Sequence, residues 1–361
     1  MAFDHLRPYN DLPLLPPSKN IETKAILKKA ISAGRALAEL KGLGATIPNQ
    51  AILVNSIILQ EAKASSEVEN IITTHDALFR AFSAKTSKID PATKEVLRYR
   101  EALWLGFNAL QERPFLTTNL FIRIVQTIRG NQAGIRNTPG TKIANAATGE
   151  VVFTPPEGVA LIREKLKNLE EYIHEEDGVD PLIKLALIHH QFEAIHPFTD
   201  GNGRTGRILN ILYLLFKGLL DLPVLYLSKY IIEQKSDYYR HLRSVTDDGE
   251  WEPWIRYILE AVEQTSLHTR DKIIAIRGLM DETLQYVKEK LPSRVYSKDL
   301  IEIIFRQPYT KGQFLVDAGI AERKTAANYL KEIEKTGILE AQKFGKENLY
   351  LNVKLFELLS K

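Results

Sequence analysis

The stretch His196-Pro197-Phe198-Thr199-Asp200-Gly201-Asn202-Gly203-Arg204-Thr205-Gly206-Arg207 decides how this chain is read. Pro197 disfavours the α region for the residue before it, so a helix running up to Ile195 ends at His196. A second helix is expected to start near Gly203 and to enter the apolar stretch that begins at Ile208. Gly201 and Gly203 remove side chains where a ligand can approach the backbone. The N–H groups of Gly201, Asn202, Gly203 and Arg204 can then converge at a helix N-terminus, an anion nest favoured by the helix dipole. Arg204 and Arg207, three residues apart, can reach one polyanion. Asp200 is the candidate ligand for a Mg²⁺ that bridges phosphates, and His196 is a candidate proton acceptor near neutral pH. A general base, a metal ligand and a phosphate cradle within twelve residues describe phosphoryl or nucleotidyl transfer. The competing readings are a capping histidine and a plain Asp-Gly-Asn-Gly turn. His189 and His190, just upstream, read as structural.

Around this stretch the 361 residues have an ordinary globular composition, 44% hydrophobic and 26% charged, with a net charge of only +3. The chain has no cysteine, which excludes disulfides, thiol catalysis, iron–sulfur clusters and cysteine zinc sites. Residues 1–17 lack a basic region followed by an apolar one, and the apolar run 208–227 is interrupted by Asn210, Lys217, Asp221 and Pro223. A cytoplasmic protein that makes no membrane contact is therefore expected.

Helical periodicity dominates and predicts a mainly α fold. Helices are expected over 21–41, stopped by Gly42 and Gly44, with Pro48-Asn49 opening the next connection. Further helices are expected over 50–62, 74–82, 91–111, 119–129, 159–173, 180–194, 208–216, 236–245 and 254–267. Residues 130–158 break the pattern with five Gly and three Pro, and their β-prone piece 150–154 makes them the best β-hairpin candidate. From about Pro292 short helices over 299–305, 310–318 and 323–337 precede two β-prone runs, 339–343 and 349–353. This is the order of a winged-helix domain. The expected parts are 1–95, an N-terminal helical region; 96–275, the part that carries the motif; and 276–361, a linker helix with the winged helix.

The twelve-residue motif resembles the Fic signature, HPFx[D/E]GNGRxxR, at every fixed position, and the resemblance extends over about residues 1–275. It implies a Fic-type helical bundle with a β-hairpin flap, and transfer of AMP from ATP to Tyr, Thr or Ser hydroxyls of proteins, the chain itself included. By resemblance His196 deprotonates the target hydroxyl, and Asp200 holds Mg²⁺ between the α- and β-phosphates. Gly201, Asn202 and Gly203 cradle the phosphates, Arg204 and Arg207 hold the β- and γ-phosphates, and Thr205 and Gly206 complete the nucleotide-binding set. Residues 138–144, with Thr138 and Ala144 at its ends, are the flap edge on which a target would pair as an added strand. Tyr238 and Tyr239 resemble the tyrosine pair that lines the adenine pocket, although Thr246 stands where many relatives carry Asn.

Ser65-Ser66-Glu67-Val68-Glu69-Asn70 resembles the family's inhibitory motif, (S/T)xxxE(G/N). It implies that Glu69, with Ser65 one helical turn before it, pairs with Arg207 and fills the space of the γ-phosphate. Removing one partner of such a pair in a buried setting costs on the order of 3–5 kcal/mol. The C-terminal part, 292–361, carries twelve Lys or Arg against nine Asp or Glu. Arg323, Lys324, Thr325 and Asn328 lie on its candidate recognition helix, residue types that suit phosphates and base edges. DNA contact, a protein-docking role and homodimer formation all stay open at this point. So do a DNA-binding regulator with a nucleotide-sensing core, transfer of another nucleotide or of phosphocholine, and removal of AMP.

Overall fold

A computed structural model of the chain describes residues 4–45, 50–84, 89–145, 148–292, 295–345 and 347–360. The first helices are α1 (Lys24–Ala45), α2 (Gln50–Val68), α3 (His75–Ser83), α4 (Pro91–Glu112) and α5 (Thr118–Arg129). A two-stranded antiparallel hairpin follows, β1 (Ile143–Ala144) with β2 (Val151–Phe153). Then come α6 (Val159–His174), α7 (Pro181–Ile195), α8 (Asn202–Phe216), α9 (Leu227–Glu233), α10 (Lys235–Asp248) and α11 (Trp251–Lys290). The C-terminal unit holds α12 (Lys298–Phe305), β3 (Tyr309–Thr310), α13 (Gly312–Asp317), α14 (Arg323–Lys335), β4 (Leu339–Phe344), β5 (Glu347–Asn352) and α15 (Val353–Ser360).

Local chemistry sets most of the helix starts. Thr74, Asp90, Thr117, Asp180 and Ser297 each accept a first-turn N–H of the helix they open, and each such cap contributes about 1 kcal/mol. Pro91 and Pro181 stand at the first helical position, where the missing N–H costs nothing. Helix α7 is buried on nearly every side, from Leu182 to Ile195. An all-round apolar helix belongs at the centre of a bundle, and α1, α6, α8 and α11 pack around this one.

Several expectations are corrected. Gly42 and Gly44 do not stop α1, which runs to Ala45. Glycine only weakens a helix interior, and packing along α11 carries this one through. Pro48-Asn49 lie outside the described residues. Helix α2 continues past residue 62 to Val68, and α11 spans 40 residues instead of 254–267. The expected part boundaries at 95/96 and 275/276 fall inside α4 and α11, so adjoining parts share helices. Helix α9 and strand β3 were not anticipated.

The C-terminal unit follows the helix–helix–helix–ribbon order expected of a winged helix, with antiparallel strands ordered β3-β5-β4. It clasps α3: the Tyr309 hydroxyl donates to Asp76 Oδ1 at 2.5 Å, and Arg80 pairs with Asp76 while lying over the Tyr309 and Phe344 rings. Ser83 Oγ donates to the Tyr309 carbonyl at 3.0 Å. Near the other end of the chain, the arm before α1 buries Leu12 and Leu15 and is held by Lys165 Nζ, which donates to the Leu12 carbonyl at 2.7 Å. Among the described residues, no helix is long and apolar enough to cross a membrane.

Candidate active site

The corner between α7 and α8 forms as the sequence requires. Helix α7 ends at Ile195, and His196 takes the left-handed conformation at φ 48° and ψ 58° while its N–H still reaches the Phe192 carbonyl at 3.1 Å. Gly201, at φ 85°, opens α8 in the same region of conformational space, and a Cβ there would stand 3.1 Å from Val125. Glycine is thus required twice over at this position. Among the described residues, no protein acceptor takes the N–H groups of Asn202, Gly203 and Arg204, so the end of α8 presents bare amides.

An anion already sits in this cradle. Glu69 follows the end of α2, and its Oε1 accepts from Arg207 Nη2 at 2.7 Å. Arg207 is buried and donates further to Ser65 Oγ and to the Ser65 carbonyl, both at 2.8 Å. Burial works to raise the Glu69 carboxyl, and the Arg207 guanidinium outweighs it, so the group is held below the usual carboxylate range. Gly203 makes the approach possible: a Cβ there would lie 2.2 Å from Glu69 Oε1. Gly203→Ala is therefore expected to expel the carboxylate and return its pKa towards the ordinary value, read from a carbon-13 titration of Glu69. Because the folded pKa is lowered, the pair's stabilisation is complete above the ordinary carboxylate pKa and disappears as acid protonates Glu69. In the Ala variant that acid-dependent loss of stability should shrink.

Helix α2, which leads to Glu69, is fastened from behind. The buried carboxylate of Glu61 accepts from Tyr99 Oη at 2.9 Å and from the Ser228 N–H at 2.8 Å, tying α2 to α4 and α9. Burial raises the Glu61 pKa despite these bonds.

The two motif arginines separate. Arg207 faces Ser65 and Glu69, while Arg204 donates to Glu95 Oε1 at 2.5 Å and stands 3.6 Å from Asp200. Asp200 is half exposed and pairs with Arg129 at the end of α5. Asp200, half exposed though paired, is of the type that holds Mg²⁺, which binds through one or two carboxylates and completes its shell with water and phosphate oxygens. His196 is largely enclosed. Its Nδ1 has no protein partner, and burial, followed by the nearby Arg136 charge, lowers its pKa to about 4. The imidazole is therefore neutral at pH 7 and able to accept a proton.

Other expected contacts resolve differently. The Asn202 side chain is spent on the loop: Oδ1 accepts from the Phe198 N–H at 2.8 Å, and Nδ2 donates to the Phe198 carbonyl at 2.7 Å. A ligand would meet only its backbone N–H. Thr205 is fully buried, and Gly206 packs on α7, where a Cβ would stand 2.4 Å from Glu193 and 3.1 Å from Phe192. Neither is open at the cradle; both are packing residues. Tyr238 is likewise buried, with its hydroxyl 2.9 Å from His189 Nε2, and Tyr239 alone of the pair is exposed. Adjacent helix residues cannot share a face. His189 and His190 are buried beside Trp254, and burial lowers both pKa values to about 3. The Thr246 hydroxyl lies 3.4 Å from His190 Nε2.

Sequence reasoning missed Arg136, Arg129, Glu95, Glu61 and Glu193. The carboxyl of Glu193 is raised to about 7 by burial, and its Oε1 has no partner. Three residues before His196, it shares that residue's side of α7. This spacing was the available signal.

A helical bundle whose buried helix ends in this corner, with a hairpin beside it, defines the class, and the comparisons agree. The Fic/DOC family N-terminal model matches residues 27–108, the Fic/DOC family model 115–214, and the model for the C-terminal domain of SoFic-like protein adenylyltransferases 279–355. The chain belongs to the Fic/DOC family. It is 34% identical over 117 residues to protein adenylyltransferase fic-1 of Caenorhabditis elegans, covering 31% of this chain and 21% of that protein. With protein adenylyltransferase Fic of Drosophila willistoni it shares 31% over 112 residues, 30% of this chain and 21% of that one. The matched segment thus spans about a fifth of the length of these curated relatives. Among solved structures, a Fic family protein from Desulfovibrio desulfuricans G20 superposes with a TM-score of 0.57 at 18% identity, over 94% of this chain and 98% of the other. A fragment of C. elegans Fic-1 gives 0.53 at 20%, over 72% and 75%.

Proposed function

We propose that the chain transfers AMP from ATP to hydroxyl groups of proteins, itself included, and that Glu69 holds the reaction in check. The observation that carries this reading is the carboxylate of Glu69 seated against Gly203 and on Arg207, an anion in a cradle built for anions. In this reading His196 takes the proton of the target hydroxyl, whose oxygen attacks the α-phosphorus in line, and pyrophosphate leaves. The bare amides opening α8, with Arg204 and Arg207, carry the developing phosphate charge. Asp200 would hold Mg²⁺, which supplies charge neutralisation on the phosphates. To hold the ion, Asp200 would have to give up its pairing with Arg129. Tyr239 is the aromatic face offered to the base. A target strand docks at 138–144, the segment that leads into and includes β1, which has no strand on its outer side among the described residues.

Intact-mass measurement on the Glu69→Gly chain, incubated with Mg²⁺ and with ATP, GTP or UTP in turn, tests the reading. One added adenylate with ATP alone supports it. A different nucleotide mass reassigns the cargo, and no adduct with any nucleotide leaves a sensor.

The C-terminal unit supports a second reading, contact with nucleic acid. Arg323, Lys324, Thr325, Asn328 and Lys331 are exposed on α14. A gel shift at two salt concentrations checks it, because binding through phosphates weakens steeply with salt.

A further inference from the structure

Arg136 lies sixty residues before the motif, yet it is 3% exposed and bonded to the motif's first turn. Its backbone N–H donates to the Pro197 carbonyl at 2.9 Å. From the side chain, Nε donates to the His196 carbonyl at 2.7 Å, and Nη2 donates to the Ile195 carbonyl at 3.4 Å and to the Pro156 carbonyl. Three consecutive carbonyls at the end of α7 are thus served by one residue.

The local sequence explains why an outside donor is needed. A helix that ends on a left-handed residue is closed by that residue's own N–H, as by His196 here, and commonly by a second bond from the N–H of the residue after it. Here that residue is Pro197, which has no N–H. The left-handed residue is His196 and not glycine, at a cost of roughly 1–2 kcal/mol. Arg136 does not replace the bond that Pro197 cannot make; it gives donors to the carbonyls of Ile195, His196 and Pro197 beyond it and so retains the turn. It also reaches both legs of the hairpin: Arg136 itself precedes β1, and Pro156 follows β2. The segment offered to a docked strand and the turn that aims the imidazole are therefore joined at one guanidinium.

We infer that Arg136 is the positioning residue that fixes where a strand docked on the hairpin meets the His196 imidazole. The inference rests on the transfer reading above. The same guanidinium lies close enough to His196 for its charge to favour the neutral ring. The charged groups acting on that ring are Arg136 from the hairpin leg, Glu69 from the end of α2 and Asp200 from the loop before α8, while the backbone of Glu193 on its own helix favours the protonated ring.

Two variants separate positioning from mere support. Arg136→Lys keeps the charge and loses the fork; Arg136→Gln loses the charge. Placed in the Glu69→Gly chain with saturating ATP, Arg136→Lys should lower kcat for self-modification by about 10- to 100-fold and leave the KM for ATP within about threefold. In the otherwise unmodified chain, Arg136→Gln should raise the midpoint of the His196 ring titration, followed by NMR, above about 4, whereas Arg136→Lys should not. If Arg136→Gln does not fold, the His196 ring in Arg136→Lys decides: freed from its fixed turn, it should give more than one titrating signal. Retention of the full rate by Arg136→Lys together with a single unshifted ring signal in every folded variant overturns the inference. If the Glu69→Gly chain transfers no AMP, the transfer reading fails, and the ring titration still judges Arg136 alone.

Discussion

Glu69→Gly is expected to raise AMP incorporation into the chain itself by roughly 30- to 150-fold when ATP and Mg²⁺ are supplied. The magnitude follows from how the pair is buried. The Arg207 side chain is 1% exposed and that of Glu69 35%. A fully buried pair broken from one side costs about 3–5 kcal/mol, and a surface pair is worth about 0–1 kcal/mol. An intermediate value of about 2–3 kcal/mol is the bias against a phosphate taking the carboxylate's place. Arg207 keeps its two bonds to Ser65, so the guanidinium stays aimed at the cradle. Thermal stability should fall at the same time, because the pair's stabilisation goes with the carboxylate, so the rate rises while the melting temperature drops. Radiolabel incorporation, compared between the two chains at several ATP concentrations, reads the effect. Equal incorporation at every concentration would remove Glu69 from any controlling role.

His196→Ala, made in the Glu69→Gly chain, should cost about 10²- to 10⁴-fold in rate, the usual contribution of a positioned general base. Affinity for ATP should move by no more than a few-fold, because among the described residues the ring makes no hydrogen bond to Arg204, Arg207 or Asn202. The backbone needs a control, since the left-handed conformation suits alanine poorly. Asparagine tolerates it better, so His196→Asn should show the same loss with the turn intact. The pH profile supplies a second check. A lowered imidazole pKa leaves the ring neutral and basic throughout the range above it, and kcat/KM should fall only as acid approaches about 4, not near 6.5. Recovery of most of the rate in the asparagine variant would assign proton removal to another group.

The parts of the site that the sequence disclosed share a cause. The end of α7 at Ile195, the start of α8 within one residue of Gly203 and the glycines between them are dictated by neighbours in the chain. Proline and glycine impose them whatever the tertiary setting. The pairing of Glu69 with Arg207 was legible only through the family resemblance of two motifs far apart in sequence, and the bonds of Arg207 to Ser65 were not. Arg136, Arg129 and Glu95 could not be read this way. They reach the corner through packing of the hairpin, α5 and α4, and no periodicity in the chain marks which arginine or carboxylate faces inward. Tyr238 is a different kind of miss. Two consecutive tyrosines on one helix point about 100° apart, and that rule alone would have separated the buried ring from the exposed one. Gly42 and Gly44 were overweighted as punctuation, where the long contact of α1 with α11 decided the outcome.

Helix α11 bears on how the molecule can move. Its 40 residues make a rod about 60 Å long, which begins beside the buried histidines of the bundle and ends at the C-terminal unit. That unit is fastened a second time, by Tyr309 and Ser83 on α3. A strut and a clasp together form a truss, so the two ends of the protein turn as one piece unless the rod bends or the tyrosine lets go. Whatever settles on α14 consequently stands at a set distance and bearing from the cleft.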